Sequence, residues 1–286
     1  MQLNTFIAAL GLLAPANALL RFGCAGLTVQ RLDPLVNPGM KPSTHLHQII
    51  GGDSFNISMP PETHDLVELS SCTSCQFKED FSNYWTAVLY YHAKNGTYKR
   101  VPQKAQFGME GTLGGMMLIK ATALRNLSDS QQRLVLEVSW RNHRFPTCWD
   151  GENLDSPNHQ DHVAYPESGT FESGGPCPST HPVRLPQILL ETVWDTTSFS
   201  DPADFVDGQQ PFVWSNGDST GFSNHADYLF GWEGDSLQRA MDGHTYVSAP
   251  MLTPQSIAQQ NQCQVPDMVN EDIDSWLPSL PGQNPE

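Results

Sequence analysis

The sequence predicts a mainly β protein: a single large β-sandwich, jelly-roll-like, with long loops, a few short helices and disulfide bridges. Three observations carry this. Gly and Pro are abundant at 22 residues each, charged residues make up only 16%, and the apolar segments are short. Frequent chain reversals between short apolar runs suit strands joined by turns, and no alternation of strands with long helical patterns suggests an α/β sheet.

The clearest strand is Arg133 to Trp140, where Leu134, Leu136, Val138 and Trp140 fall on one face. Tyr84 to Tyr91 is rich in β-formers and reads as a second core strand. Gln187 to Trp194 is a third, and Met116 to Lys120, Phe212 to Ser215 and Thr245 to Ser248 are shorter candidates. Helix signals come late. Asp235-Ser236 caps a short helix through Met241 that Gly243 stops, and Thr253-Pro254 opens a second through Ile257 and Ala258. The expected organisation is a signal peptide over 1–18, one β-rich domain over 19–264 and an acidic, proline-punctuated tail over 265–286, anchored by Trp276 and Leu277.

Residues 3–18 are almost wholly apolar or small and end in Ala16-Asn17-Ala18, an A-x-A cleavage pattern, although no Lys or Arg precedes them. The run is shorter than the ~20 residues of a spanning helix. Six cysteines follow it, and an even number in an exported chain predicts structural disulfides while leaving their pairing open. Cys72-Thr73-Ser74-Cys75 lacks the βαβ surroundings of a redox motif. Sequons at Asn56, Asn95 and Asn126 fit a eukaryotic secretory route. A formal net charge of -16 would repel a polyanion, which argues against a nucleic-acid partner. The expectation is a secreted, monomeric protein placed outside the cell or at the wall, with no membrane partner.

Candidate chemistry centres on His45-Leu46-His47. In extended backbone, residues two apart share a face, so the two imidazoles project side by side, able to hold a metal or to form a hydrogen-bonding pair. His181 stands among Pro178, Pro182 and Pro186 next to Cys177, on a stiffened backbone. His225 and Asp227 lie beyond a glycine-bracketed loop, and Trp149-Asp150 sits in another polar loop with His159, Asp161 and His162. Convergence of His45, His47, His181 and His225 would suit zinc or copper. Gly217-Asp218-Ser219-Thr220-Gly221 matches a nucleophile-elbow string, but Phe222-Ser223-Asn224-His225 is no helix start, so a serine hydrolase is disfavoured. Seven tryptophans and scattered carboxylates also suit a sugar-binding groove.

Several strings occur in the order found in the secreted fungal domain-of-unknown-function family numbered nineteen-ninety-six. They are Arg31 to Gly39, His45 to Gly52, Phe145 to Gly151, His162 to Pro166, Cys177 to Gln187 and His225 to Trp232. The chain resembles that family over essentially its whole mature length. The resemblance implies an extracellular or wall setting and assigns no reaction. It places family motifs on His45, His47, Asp150, His181, Arg184, His225 and Asp227.

The combined expectation is a polar pocket for an extracellular polysaccharide, with Asp150 and Asp227 as acid-base residues, Arg184, His225 and Trp149 binding substrate, and His45, His47 and His181 holding a divalent metal. The competing expectations are a noncatalytic copper- or zinc-binding protein and a structural wall component. Arg184 is expected to recognise a uronate or other anionic group.

Overall fold

The computed structural model describes residues 19–105, 115–121, 138–169, 175–201, 203, 205, 209–243 and 249–282. The expected signal peptide, the Asn126 sequon, residues 133–137 of the first predicted strand and the Thr245–Ser248 strand lie outside them.

The described chain is mainly β. Its strands in order are β1 (Leu19–Ala25), β2 (Thr28–Gln30), β3 (His47–Gly51), β4 (Asn83–Ala87), β5 (Leu89–His92), β6 (Tyr98–Arg100) and β7 (Gly115–Ala121). There follow β8 (Val138–Arg144), β9 (Cys148–Trp149), β10 (Val163–Ala164), β11 (Val183–Arg184), β12 (Gln187–Asp195), β13 (Phe212–Trp214) and β14 (Ala226–Leu229). They form four antiparallel sheets, ordered β1-β7-β12-β8, β14-β4-β3-β2, β13-β5-β6 and β10-β9-β11. Three short helices decorate them: α1 (Leu66–Leu69), α2 (Ser236–Asp242) and α3 (Ile257–Gln262).

The two four-stranded sheets face each other. Leu20, Phe22 and Cys24 alternate along β1 and, with Met116 and Leu118 of β7 and Leu190 of β12 beside them in the same sheet, meet Ile50, Tyr84 and Tyr228 of the opposite sheet. The β14-β4-β3-β2 sheet is covered on its other side too. There Ile49, Trp85 and Leu229 pack on Leu27, Leu32, Phe55 and Met59 from the adjoining loops and on Leu66 of α1. Burial on both faces explains why every residue of β3 and β4 is buried and why no simple alternation marks them in the sequence. Each large side chain so buried contributes about 1.5–3 kcal/mol.

The predicted Tyr84 to Tyr91 strand is two strands in different sheets, parted at Val88, whose amide donates to Ser215 Oγ. Gly51 ends β3 at φ 115°, where a β-carbon would collide with the Ser82 carbonyl, so the close approach of the chains requires glycine. Gly243 caps α2 as expected. The second late helix starts later than predicted, because Ser256 and Gln259 form a reciprocal capping box and leave Pro254 outside. Leu277 is buried and bridges Tyr98, whereas Trp276 stays half exposed against Tyr91.

Three disulfides join Cys24 to Cys75, Cys72 to Cys263 and Cys148 to Cys177. Cys72 and Cys75 therefore pair with distant partners. Cys148–Cys177 lies in the small sheet where β9 pairs with both β10 and β11, at the base of the loop that carries residues 150–162. Among the described residues no helix is long and apolar enough to cross a membrane.

Candidate metal centre

The site forms where β3 and β14 flank β4. Leu46 is buried in the cluster around Tyr90 and Trp214, and its carbonyl accepts from Ser215 Oγ at 2.6 Å. With Leu46 drawn one way, His45 and His47 turn the other, and their ring centroids lie 4.2 Å apart. His47 pairs with Ala87 across β3–β4, and Ala226 pairs with Thr86 across β14–β4, so His225 comes in from the far side of Ala87. The methyl group of Ala87 leaves room for two imidazoles from flanking strands to meet above it. Thr86 Oγ1 donates to the His225 carbonyl at 2.6 Å and fixes that approach.

Three Nε2 atoms converge. His225 Nε2 lies 3.1 Å from His45 Nε2 and 3.3 Å from His47 Nε2. On the opposite side of each ring, Nδ1 meets an oxygen: Leu32 O at 2.9 Å for His47, Ser223 O at 2.8 Å for His225, and Thr44 Oγ1 at 3.1 Å for His45. A carbonyl only accepts, so His47 and His225 carry their hydrogen on Nδ1 and turn bare Nε2 lone pairs towards each other. The Thr44 hydroxyl either donates or accepts, so the His45 tautomer is free to adjust. At most one proton fits among the three atoms when the rings are neutral, and the His47–His225 pair has none to share.

Electrostatics hold the His45 and His47 rings neutral. Burial, then the neighbouring imidazoles, push His45 and His47 down to about 3. His143, on β8, is pushed down to about 4 by burial and by His225, and its Nε2 contacts Thr86 Oγ1 at 3.3 Å. Asp227 shares the Trp85 side of the sheet, and its Oδ2 is buried with no hydrogen-bond partner. Burial and then the charge of Asp33 push it up to about 6, with His225 and His159 pulling the other way. A buried carboxylate oxygen without a partner, two residues from His225 and on the same side of the sheet, is a group that a cation at the cluster would stabilise.

The cluster opens into a cleft of about 2180 Å³ whose walls include His45, His143, Trp149, His159, His225 and Asp227. Other predicted residues fall elsewhere. His181 stands outside the cluster, with its Nε2 2.9 Å from Asp161 O and its Nδ1 2.9 Å from Thr180 Oγ1. Asp150 accepts from the amides of Glu152 and Asn153 and from Asn153 Nδ2, bonds that hold its carboxyl down at about 2. It is a loop-shaping group on the surface. The Arg184 guanidinium donates to Thr147 Oγ1 and to the Gly175 carbonyl and does not line the cleft. Trp149 lines it, with its Nε1 donating to Asn153 O. The Gly217–Gly221 string is a loop organised by Asp218, which accepts from the amides of Thr220, Gly221 and Ser223.

Two further groups of ligand-type residues, Cys24/Cys75/Asp80 and Asp53/Cys72/Cys263, contain disulfide sulfurs and so offer no thiolate. Sequence reasoning missed His143 and Asp33. Continuing the Arg133–Trp140 strand to Arg144 would have brought in His143.

The fold and site define a β-rich, disulfide-bridged domain with a three-histidine cluster at the edge of a wide acidic cleft. Residues 33–119 and 129–232 match the profile of the family described as Domain of unknown function (DUF1996), and the chain belongs to that family. No curated protein and no solved structure matches the chain.

Proposed function

We propose that this protein holds one zinc or copper ion through Nε2 of His45, His47 and His225, leaving a fourth position open to the cleft. The observation that supports it is the pair of bare lone pairs on His47 and His225, 3.3 Å apart. Tetrahedral zinc with bonds of 2.0–2.1 Å needs ligand atoms about 3.3 Å from one another, and the separations of 3.1 and 3.3 Å fit that edge. The oxygens on each Nδ1 are the outer partners that fix tautomer and orientation at such sites, and Asp227 supplies compensating negative charge.

The cleft supports a second reading, a polysaccharide met outside the cell. Small-molecule pockets occupy roughly 300–1,000 Å³, and this one is about 2180 Å³ with Trp149, Tyr165 and Phe230 along it. Tyr165 and Phe230 are 45% and 60% exposed, ready faces for sugar rings. Three disulfides suit an oxidising, extracellular setting.

The test is elemental analysis of protein purified without chelator or added metal, alongside His45→Ala and His225→Ala. Near-stoichiometric zinc or copper that is lost in both variants supports the metal reading. A protein that takes up neither metal on reconstitution contradicts it, and retention on a wall-glycan panel without metal would then favour glycan binding alone.

A further inference from the structure

His64, His159 and His162 line the cleft outside the metal cluster, and His159 is the one of them paired with a carboxylate. His159 sits on the loop between β9 and β10, and its Nδ1 lies 2.9 Å from both carboxylate oxygens of Asp155. That carboxylate fixes the hydrogen on Nδ1 and leaves Nε2 as a lone pair. The residue adopts φ 58°, a left-handed conformation uncommon outside glycine, so the loop holds the ring in place against a local conformational cost. Both residues line the same cleft as His225 and Asp227.

We propose that Asp155 and His159 form the proton-transfer arm of a hydrolytic centre that acts on neutral acyl esters carried by a long ligand in this cleft. The inference rests on the metal reading above. His159 Nε2 would take a proton from the attacking water as that water's oxygen bonds to the acyl carbon, and a metal held by the three histidines would supply the Lewis acid that activates the water. The bond from that carbon to the alkoxide then breaks, and the alkoxide takes the proton back from His159. Acid and alcohol leave, and no oxidant or reductant is needed. Asp155 is the positioning residue, because it keeps the ring oriented and offsets the charge that forms on it.

Charge narrows the substrate. Among the described residues that line the cleft, seven are carboxylates and one, Arg144, is a guanidinium. Such a surface repels phosphate and uronate groups. The uronate recognition that Arg184 suggested therefore finds no support here, and an uncharged ester fits better.

The experiment uses zinc-loaded full-length protein, His159→Gly and Asp155→Asn, with zinc content measured on each sample. Glycine accepts the left-handed backbone, so His159→Gly keeps the loop conformation. The substrates are 4-nitrophenyl acetate and phenyl acetate, the second having the poorer leaving group. The expected result is zinc-dependent hydrolysis by the parent protein and one retained zinc in His159→Gly. The variant's rate should fall by about a hundredfold or more, with the larger loss on phenyl acetate because the proton donor is gone too. Asp155→Asn should lower kcat, with the same leaving-group bias and little change in KM. Zinc-loaded parent protein that cleaves no faster than chelated protein overturns the proposal. So does a His159→Gly variant that binds zinc and cleaves at the parent rate. Failure of the parent protein to bind zinc at all would instead bring down the metal reading beneath it.

Discussion

Replacing His225 by Ala should abolish metal-dependent stabilisation while leaving the metal-free fold nearly as stable as before. His225 is the hub of the cluster, since both close Nε2 contacts run through it. Without metal the substitution removes the Nδ1 bond to Ser223 O at 2.8 Å, a loss of about 1 kcal/mol. It also removes the facing lone pairs, which offsets part of that loss. With free zinc at a hundred times its dissociation constant, a single native-state site adds about 2.7 kcal/mol. At about 2–4 °C per kcal/mol for chains near this size, the parent protein should melt roughly 5–10 °C higher in zinc than in chelator. Differential scanning calorimetry in matched zinc and chelator buffers measures both quantities. The variant should show no zinc-dependent rise, with a chelator midpoint within a few degrees of the parent. An equal zinc-dependent rise in His225→Ala would refute the reasoning, since the stabilising ion would then sit elsewhere.

Metal-free protein should lose stability in acid. Below their ordinary value of 6.5, His45, His47 and His143 take up protons readily only when unfolded, because the folded chain holds them near 3, 3 and 4. Asp227, raised to about 6 from 3.8, opposes this between those values. Three groups outweigh one, so urea unfolding should show stability falling on the order of 2 kcal/mol per pH unit as pH drops from 6 to 4; a flat profile would contradict the neutral, buried rings. Ala87→Leu should lower zinc uptake without touching a ligand, because its side chain would fill the space between the strands that carry His47 and His225; unchanged zinc content would show that the rings do not meet there. Replacing Cys72 and Cys263 by Ser should cost roughly 2–5 kcal/mol in denaturant titrations, since that bridge closes a separation of 191 residues; an unchanged midpoint would argue against it.

Local patterns made part of the site readable. The His45–His47 pair followed from two-residue spacing in extended backbone, and the mainly β class from short apolar runs between turns. The meeting with His225 depends on strand order β14-β4-β3 and on the register of each pairing. Those are long-range facts that no local pattern carries. His181 looked well placed because prolines stiffen its backbone, but stiffness does not say where a ring points, and its nitrogens face Asp161 and Thr180. Asp150 looked catalytic because it sits beside Trp149 in a polar loop. Its carboxylate is instead consumed by the amides of the turn that follows. The Tyr84 to Tyr91 run read as one strand because β-formers fill it without a break, and only the tertiary contact of Val88 with Ser215 reveals where it divides.

An anomalous-scattering map from crystals grown with zinc tests the central claim most directly. The account predicts one peak about 2.0–2.1 Å from Nε2 of His45, His47 and His225, with its open side towards the cleft. A map with no peak at that position would contradict it, whatever zinc appears elsewhere on the surface.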